Sequence, residues 1–233
     1  CYINDEFFET PSEENVYLTI TTPRLHIVYE DENIMLLDKP AGLVVHADER
    51  EKVNTLVNHM LAYLYQKREW KPREENAFTP ALCNRIDRNT GGIVVAAKNA
   101  EALRILNDKI RDREIAKYYL CIALGRVEPP KGCIECFLRK DEKSNTVRVY
   151  HRPVPEGRSA VTLYQTLRTR GELSLLEVEL LTGRTHQIRA SMADLGHPLL
   201  GDGKYGIGSV NRKYGETQQA LYSYRLRFEF PTD

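Results

Sequence analysis

Apolar and polar residues follow two rhythms along this chain, one close to two residues and one close to 3.6. Residues 26–29 and 33–38 have strand length, and the second contains the run Ile34-Met35-Leu36-Leu37. Lys39-Pro40-Ala41-Gly42 then breaks the strand, since Pro supplies no ladder donor. Leu56, Val57, Met60, Leu61 and Leu64 fall at helical spacing after Asn54, which is expected to cap them. Residues 67–80 are charged and contain Pro, the composition of a loop. Residues 93–97 (Ile-Val-Val-Ala-Ala) read as a buried strand, followed by a helix capped by Asn99 with Ala102, Leu103, Leu106 and Ile110 on one face.

Strands are predicted again at 118–124, 161–167 and 173–180, the last two joined by a turn at Gly171. Residues 125–157, rich in Gly, Pro and charge, are expected to form hairpins or an irregular insertion. A helix is expected after Thr185, with Thr185 as cap and Ile188, Met192 and Leu195 as its stripe; Gly196 and Pro198 end it. The last strand alternates Ala220, Tyr222, Tyr224, Leu226, Phe228 and Phe230 against Ser223, Arg225, Arg227 and Glu229. Many strands and few helices, without an internal repeat, predict an α+β fold with a mixed, largely antiparallel sheet and flanking helices.

The 233 residues fit one large domain, or one domain with a short appendage. The longest aliphatic run is five residues, far short of the roughly 20 that a membrane helix needs. Net charge is zero, but its distribution is uneven. Residues 1–23 carry five acidic side chains and no Lys or Arg, which leaves 33 basic against 28 acidic in the remainder. An acidic lead-in before a basic body is compatible with a polyanionic partner and equally with a mixed solvated surface. Five scattered cysteines suit a reducing, cytoplasmic compartment. Cys133 and Cys136 form one C-x-x-C without a second ligand pair, so no metal site is expected.

Two segments concentrate candidate chemistry. In Asn84-Arg85-Ile86-Asp87-Arg88-Asn89-Thr90-Gly91-Gly92, Asp87 is flanked by guanidinium groups ahead of a turn and a buried strand. Such a carboxylate is held ionised and can act as a nucleophile or stabilise a developing cation. It can also be a turn residue in a surface ion pair. In Leu181-Thr182-Gly183-Arg184-Thr185-His186-Gln187-Ile188-Arg189, Arg189 lies about 100° around the helix from Ile188, at the border of the apolar stripe. From there it can reach a carboxylate in a cleft, while His186 suits a structural hydrogen bond. Tyr119, two residues after Lys117, could stack on a planar ligand or fill the core. Phosphate-loop, nucleophile-elbow and metal-cluster patterns do not occur.

Taken in order, four motifs over residues 24–230 resemble the RluA-type pseudouridine synthases. They are Leu37-Asp38-Lys39-Pro40-Ala41-Gly42-Leu43-Val44-Val45-His46; Arg85-Ile86-Asp87-Arg88-Asn89-Thr90-Gly91-Gly92-Ile93; Lys117-Tyr118-Tyr119-Leu120; and Thr182-Gly183-Arg184-Thr185-His186-Gln187-Ile188-Arg189, continuing through Gly196-His197-Pro198, Gly201-Asp202 and Tyr205-Gly206. The chain departs from the family at Asn84, usually His, and at Gly91, usually Ser.

The resemblance implies a pseudouridine synthase-like fold with a central RNA-binding cleft, and isomerisation of uridine in RNA without cofactor. By resemblance, Asp87 is the essential carboxylate, Arg189 keeps it ionised, and Tyr119 stacks on the flipped uracil. Arg85 is expected to enter the stack that the base vacates. Ile188, Arg184 and Lys39 are further substrate-binding positions, although a structural role ranks above RNA-phosphate contact for Lys39 and Arg184. Relatives with a small N-terminal RNA-binding domain lead us to expect residues 1–23 to be the tail of such a domain plus a linker, with the catalytic domain at 24–233. Ribosomal RNA is the expected partner ahead of transfer RNA, with the protein acting as a monomer. The rival readings are an inactive RNA-binding module of the same fold and a glycosidase. A glycosidase needs two carboxylates flanking the bond, and the motifs supply one.

Overall fold

A computed structural model describes residues 15–74 and 78–229. The chain divides into two compact units. The first comprises residues 1–39, 43–88 and 94–106, and the second 40–42, 89–93 and 107–233.

In the first unit, β1 (Ile27–Glu30) and β2 (Ile34–Lys39) form an antiparallel pair, and β2 neighbours β4 (Gly91–Ala97). The short β3 (Ala81–Leu82) pairs antiparallel with the end of β4, at Ala97 and Ala96. Met35, Leu37, Val94 and Ala96 point into a core closed by Leu56, Met60 and Leu64 of helix α1 (Leu56–Gln66). The helical stripe is as expected, but its cap is Thr55, whose side chain accepts from the Asn58 amide at 3.2 Å. Asn54 is engaged elsewhere, its Oδ1 lying 2.8 Å from Nε2 of the buried His59.

The expected linker differs in the stretch that is described. Val16–Thr19 is a 3-10 turn, and Tyr17 and Ile20 belong to the core of this unit. Tyr17 stacks edge-on against Tyr65 and Trp70, so apolar burial outweighs the acidic, Pro-containing composition around it. The expectation for residues 1–14 lies outside the described residues.

The second unit is organised by a sheet in the order β10-β5-β9-β8-β6-β7, antiparallel throughout. Its strands are β5 (Ala116–Leu124), β6 (Lys131–Asp141), β7 (Thr146–Tyr150), β8 (Arg158–Arg170), β9 (Leu173–Leu180) and β10 (Leu221–Arg227). The segment 125–157 thus supplies the β6–β7 hairpin. Gly91 and Gly92 pair parallel with Tyr222 and Ser223 of β10. Gly92 has φ +114°, and a Cβ there would lie 2.1 Å from the Ser223 carbonyl oxygen, so this close approach requires glycine.

In β10 the expected face is correct only in part. Leu221 and Ser223 are buried and Tyr222 is exposed, the reverse of the predicted parity. The register against β5 shifts between Ser223 and Arg225. That bulge inserts one residue, which exchanges the two faces of the strand. Helices α2 (Ala100–Arg111), α3 (Gln187–Asp194) and α4 (Gly208–Tyr214) complete the elements. Asn99 caps α2 as expected, accepting from the Ala102 amide at 2.9 Å. Among the described residues no helix is long and apolar enough to cross a membrane.

Candidate active site

The segment around Asp87 is clasped by an ion from the end of β2. Lys39 has no exposed surface, and its Nζ donates to the carbonyls of Leu43 at 2.6 Å and Arg88 at 2.9 Å. Burial pushes the Lys39 pKa down to about 8, with the Asp87 charge opposing the shift and Arg88 adding to it. A lysine closing a strand reads as solvated, whereas this one ties the turn after β2 to the Asp87 segment. Its ammonium is fully buried on these two carbonyls. Asn84, one of the two departures from the family pattern, accepts the Val95 amide through Oδ1 at 2.8 Å and thereby moors the same segment to β4. Arg88 donates to Asp48 at 2.7 Å, and Arg85 is exposed while Asp87 is half-buried.

In the second unit, Lys117, Tyr119 and Cys121 occupy one face of β5 by strand alternation. Tyr119 is buried, paired in register with Val178 of β9 on one side and Ser223 of β10 on the other. The Ser223 hydroxyl, also buried, has no hydrogen-bond partner among the described residues.

The approach to α3 is fixed by Gln187. Its Oε1 accepts from the Thr182 hydroxyl at 2.9 Å and the Arg184 amide at 3.0 Å, and its Nε2 donates to the Val161 carbonyl and to Thr162 Oγ1. Arg184 donates through Nε to the Ser159 carbonyl at 3.1 Å. The residue before α3 is His186 at φ +53°, not Thr185, and it makes no side-chain cap. Its Nδ1 instead shares a 2.8 Å hydrogen bond with the Tyr205 hydroxyl, which accepts the Val147 amide at 2.7 Å. His186 is thus the structural hydrogen-bonder anticipated.

Ile188 and Arg189 are both buried on α3. Arg189 donates bidentately to Asp202, Nε to Oδ2 at 2.7 Å and Nη2 to Oδ1 at 2.9 Å, and its guanidinium lies 5.2 Å from the centre of the Tyr205 ring. Asp202 Oδ1 also accepts the amides of Lys204 and Tyr205. Burial raises the Asp202 pKa, but the Arg189 pair and the two amides outweigh it and hold the carboxyl below its usual range.

Lys39, Arg85 and Asp87 therefore belong to the first unit, and Tyr119, Arg184, Ile188 and Arg189 to the second. Sequence reasoning quoted Asp202 within a motif without recognising it as the carboxylate that orients Arg189. The charge complementarity of two buried residues 13 apart was the available signal. Cys133 and Cys136 alternate to opposite faces of β6, one exposed and one buried, so their sulfurs cannot share an ion. No group of three or more metal-ligating side chains occurs among the described residues.

Residues 33–194 match the family model for RNA pseudouridylate synthase. An uncharacterised RNA pseudouridine synthase of Bacillus subtilis is 36% identical over 211 residues, covering 89% of this chain and 65% of the relative. Ribosomal large subunit pseudouridine synthase D of Borreliella burgdorferi is 32% identical over 225 residues, covering 96% and 67%. The chain thus spans about two thirds of the length of these curated relatives. Among solved structures, human RNA pseudouridylate synthase domain containing 1 shares the fold, with a TM-score of 0.73 at 20% identity over 97% of this chain and 83% of that one. The matched span contains the Asp87 segment, the Tyr119 strand and the Arg189 helix in the order that its motifs anticipated, and the chain belongs to the RNA pseudouridylate synthase family, RluA type.

Proposed function

We propose that this chain isomerises uridine to pseudouridine in RNA. The observation that carries the reading is the family match across residues 33–194, which spans all three residues that the chemistry assigns: Asp87, Tyr119 and Arg189. The bond from N1 of uracil to C1′ of ribose breaks, the base turns over, and C5 bonds to C1′. N1 gains a proton and C5 loses one, so the reaction is redox-neutral and no group departs. Asp87 supplies the carboxylate, which acts on the sugar or the base, and Arg189 serves as its cationic partner. Tyr119 stacks on the uracil and assists removal of the C5 proton, while Arg85 fills the stack that the base has left. Unstacking a base costs a few kcal/mol, which such contacts offset. Ile188 packs against the bound base, and Arg184 steadies the motif that leads into α3. Ribosomal RNA is the preferred substrate, a choice supported by the relative named for the large ribosomal subunit.

The catalytic domain in this reading takes in Val16–Thr19 and Ile20, whose apolar side chains pack with its core, so a preceding RNA-binding domain would end before Val16.

The test is tritium release from C5-labelled bulk RNA of a host lacking the enzyme, comparing wild type with Asp87→Asn. Release by wild type alone, with RNA affinity retained in the variant, is the expected result. RNA binding without release by either protein would replace the isomerase with a binding module.

A further inference from the structure

The second unit contains a cleft of about 500 Å³ that the preceding assignments leave unused. Arg111, Arg113, Lys117 and Arg184 line it, against the single acidic residue Glu179. Arg111 is neutralised by Asp108 and Asp112. Lys117 and Arg113 are different, because neither side chain has a hydrogen-bond or ion-pair partner among the described residues. Burial lowers the Lys117 pKa, and no carboxylate opposes that shift. An ammonium kept half-buried without a counter-charge costs stability, so the fold gains nothing by it.

Arg113 carries a second cost. The Arg113 amide donates to the Ile110 carbonyl and the Glu114 amide to the Lys109 carbonyl, the paired bonds of a Schellman ending to α2. Arg113 therefore stands at φ +63°, a position where glycine is unstrained and arginine is not. A half-buried, unmatched ammonium and an exposed guanidinium held on a strained backbone thus meet in one cleft. Gly183 also borders the Lys117 ammonium: a Cβ there would lie 3.5 Å from Nζ, in ordinary van der Waals contact.

The location identifies the ligand. Lys117 and Tyr119 lie on the same face of β5, two residues apart, or about 6.8 Å along the strand. Leu180 and Val178 stand directly across from them on β9. A strand of RNA whose base meets Tyr119 would pass its backbone over Lys117. We propose that this cleft binds a phosphate of the substrate RNA next to the target uridine, with Lys117 and Arg113 as its ligands and Arg184 at its rim. The site deepens the isomerase reading and rests on it for the position of the base.

The test measures binding of a fluorescein-labelled single-stranded 20-mer oligouridylate by anisotropy across salt concentrations, together with thermal melting. The proteins are wild type, Lys117→Met, Arg113→Gln and, as control, Arg126→Gln, whose guanidinium is already paired with Glu128. Lys117→Met and Arg113→Gln should each raise Kd about five- to tenfold at 0.15 M salt and make the slope of log affinity against log salt about 0.7 shallower. Arg126→Gln should match wild type. Lys117→Met should also melt at or above the wild-type temperature, because it removes an uncompensated buried charge; a lysine kept for structure would melt lower. Unchanged affinity and slope in both variants, or a lower melting temperature for Lys117→Met, would overturn the site. Failure of the wild type to bind oligouridylate would overturn it too. Tritium release by the wild type, run in parallel, judges the isomerase reading separately. Its absence alongside the expected losses in the variants would retire that reading and retain the cleft as an RNA-backbone site.

Discussion

Asp202→Asn isolates the buried pair that orients Arg189. The substitution preserves shape and removes one charge. In the wild type both side chains are almost wholly enclosed, and the guanidinium meets the carboxylate at 2.7 and 2.9 Å. Neutralising Asp202 removes the bidentate carboxylate from a buried guanidinium, a loss of about 3–5 kcal/mol. A domain of this kind has about 5–15 kcal/mol in total, so the variant should lose about a fifth of its stability or more. Asparagine can still accept the Lys204 and Tyr205 amides; alanine cannot, and two such bonds add about 1–3 kcal/mol to its deficit. Urea denaturation at pH 7 should therefore order the proteins as wild type, Asp202→Asn, Asp202→Ala. An Asp202→Asn protein within 1 kcal/mol of wild type would refute this account of the pair.

The pH dependence provides an independent check with a definite sign. The Asp202 pKa is depressed on folding. Its contribution is complete above the unfolded-state value near 3.9 and is lost as pH falls through the lower folded value. The stability gap between wild type and Asp202→Asn should stay constant from pH 8 to 5 and narrow only below pH 4. A gap that narrowed between pH 7 and 6 would trace the effect to another group.

Three further outcomes follow from the same geometry. The Lys39 pKa falls on folding to about 8, so the unfolded chain binds more protons above that pH. Stability relative to Lys39→Met should therefore rise by about 3 kcal/mol between pH 8 and 10.5, read from urea midpoints. Gly92→Ala combines a disfavoured φ with a backbone clash against Ser223 and should cost about 2–4 kcal/mol; a variant that melts with wild type would contradict the parallel pairing of β4 and β10. Ser223→Ala removes a buried hydroxyl without a partner and should leave the melting temperature unchanged or higher, whereas a loss above 1 kcal/mol would reveal a hydrogen bond at that atom.

Local patterns made most elements legible. The α1 stripe, the Asn99 cap and the strand at Leu173–Leu180 depend on neighbours within a few residues, and each is present as expected. The caps of α1 and α3 were harder because competent residues stand side by side. Thr55 caps α1 while Asn54 serves His59, and His186 enters a left-handed turn ahead of α3. Nothing within a few residues decides between such neighbours; a contact from a different element does.

The less legible features share a physical origin in pairings between distant segments. The parity of β10 changes because β5 imposes a bulge, and no residue inside β10 encodes that register. Lys39 is buried because two carbonyls from separate segments converge on its ammonium. Arg189 was identifiable from its helix, but its partner arrives on a loop after Gly201, whose φ of +77° allows the chain to turn where a Cβ would strike the Gln218 carbonyl. In each case a polar or charged group is committed to the interior, where satisfying it depends on geometry set by another part of the chain. The cleft around Lys117 and Arg113 reverses this relation. There the described residues supply no partner for Lys117, and the cost of that half-buried ammonium is what points to a ligand outside the chain.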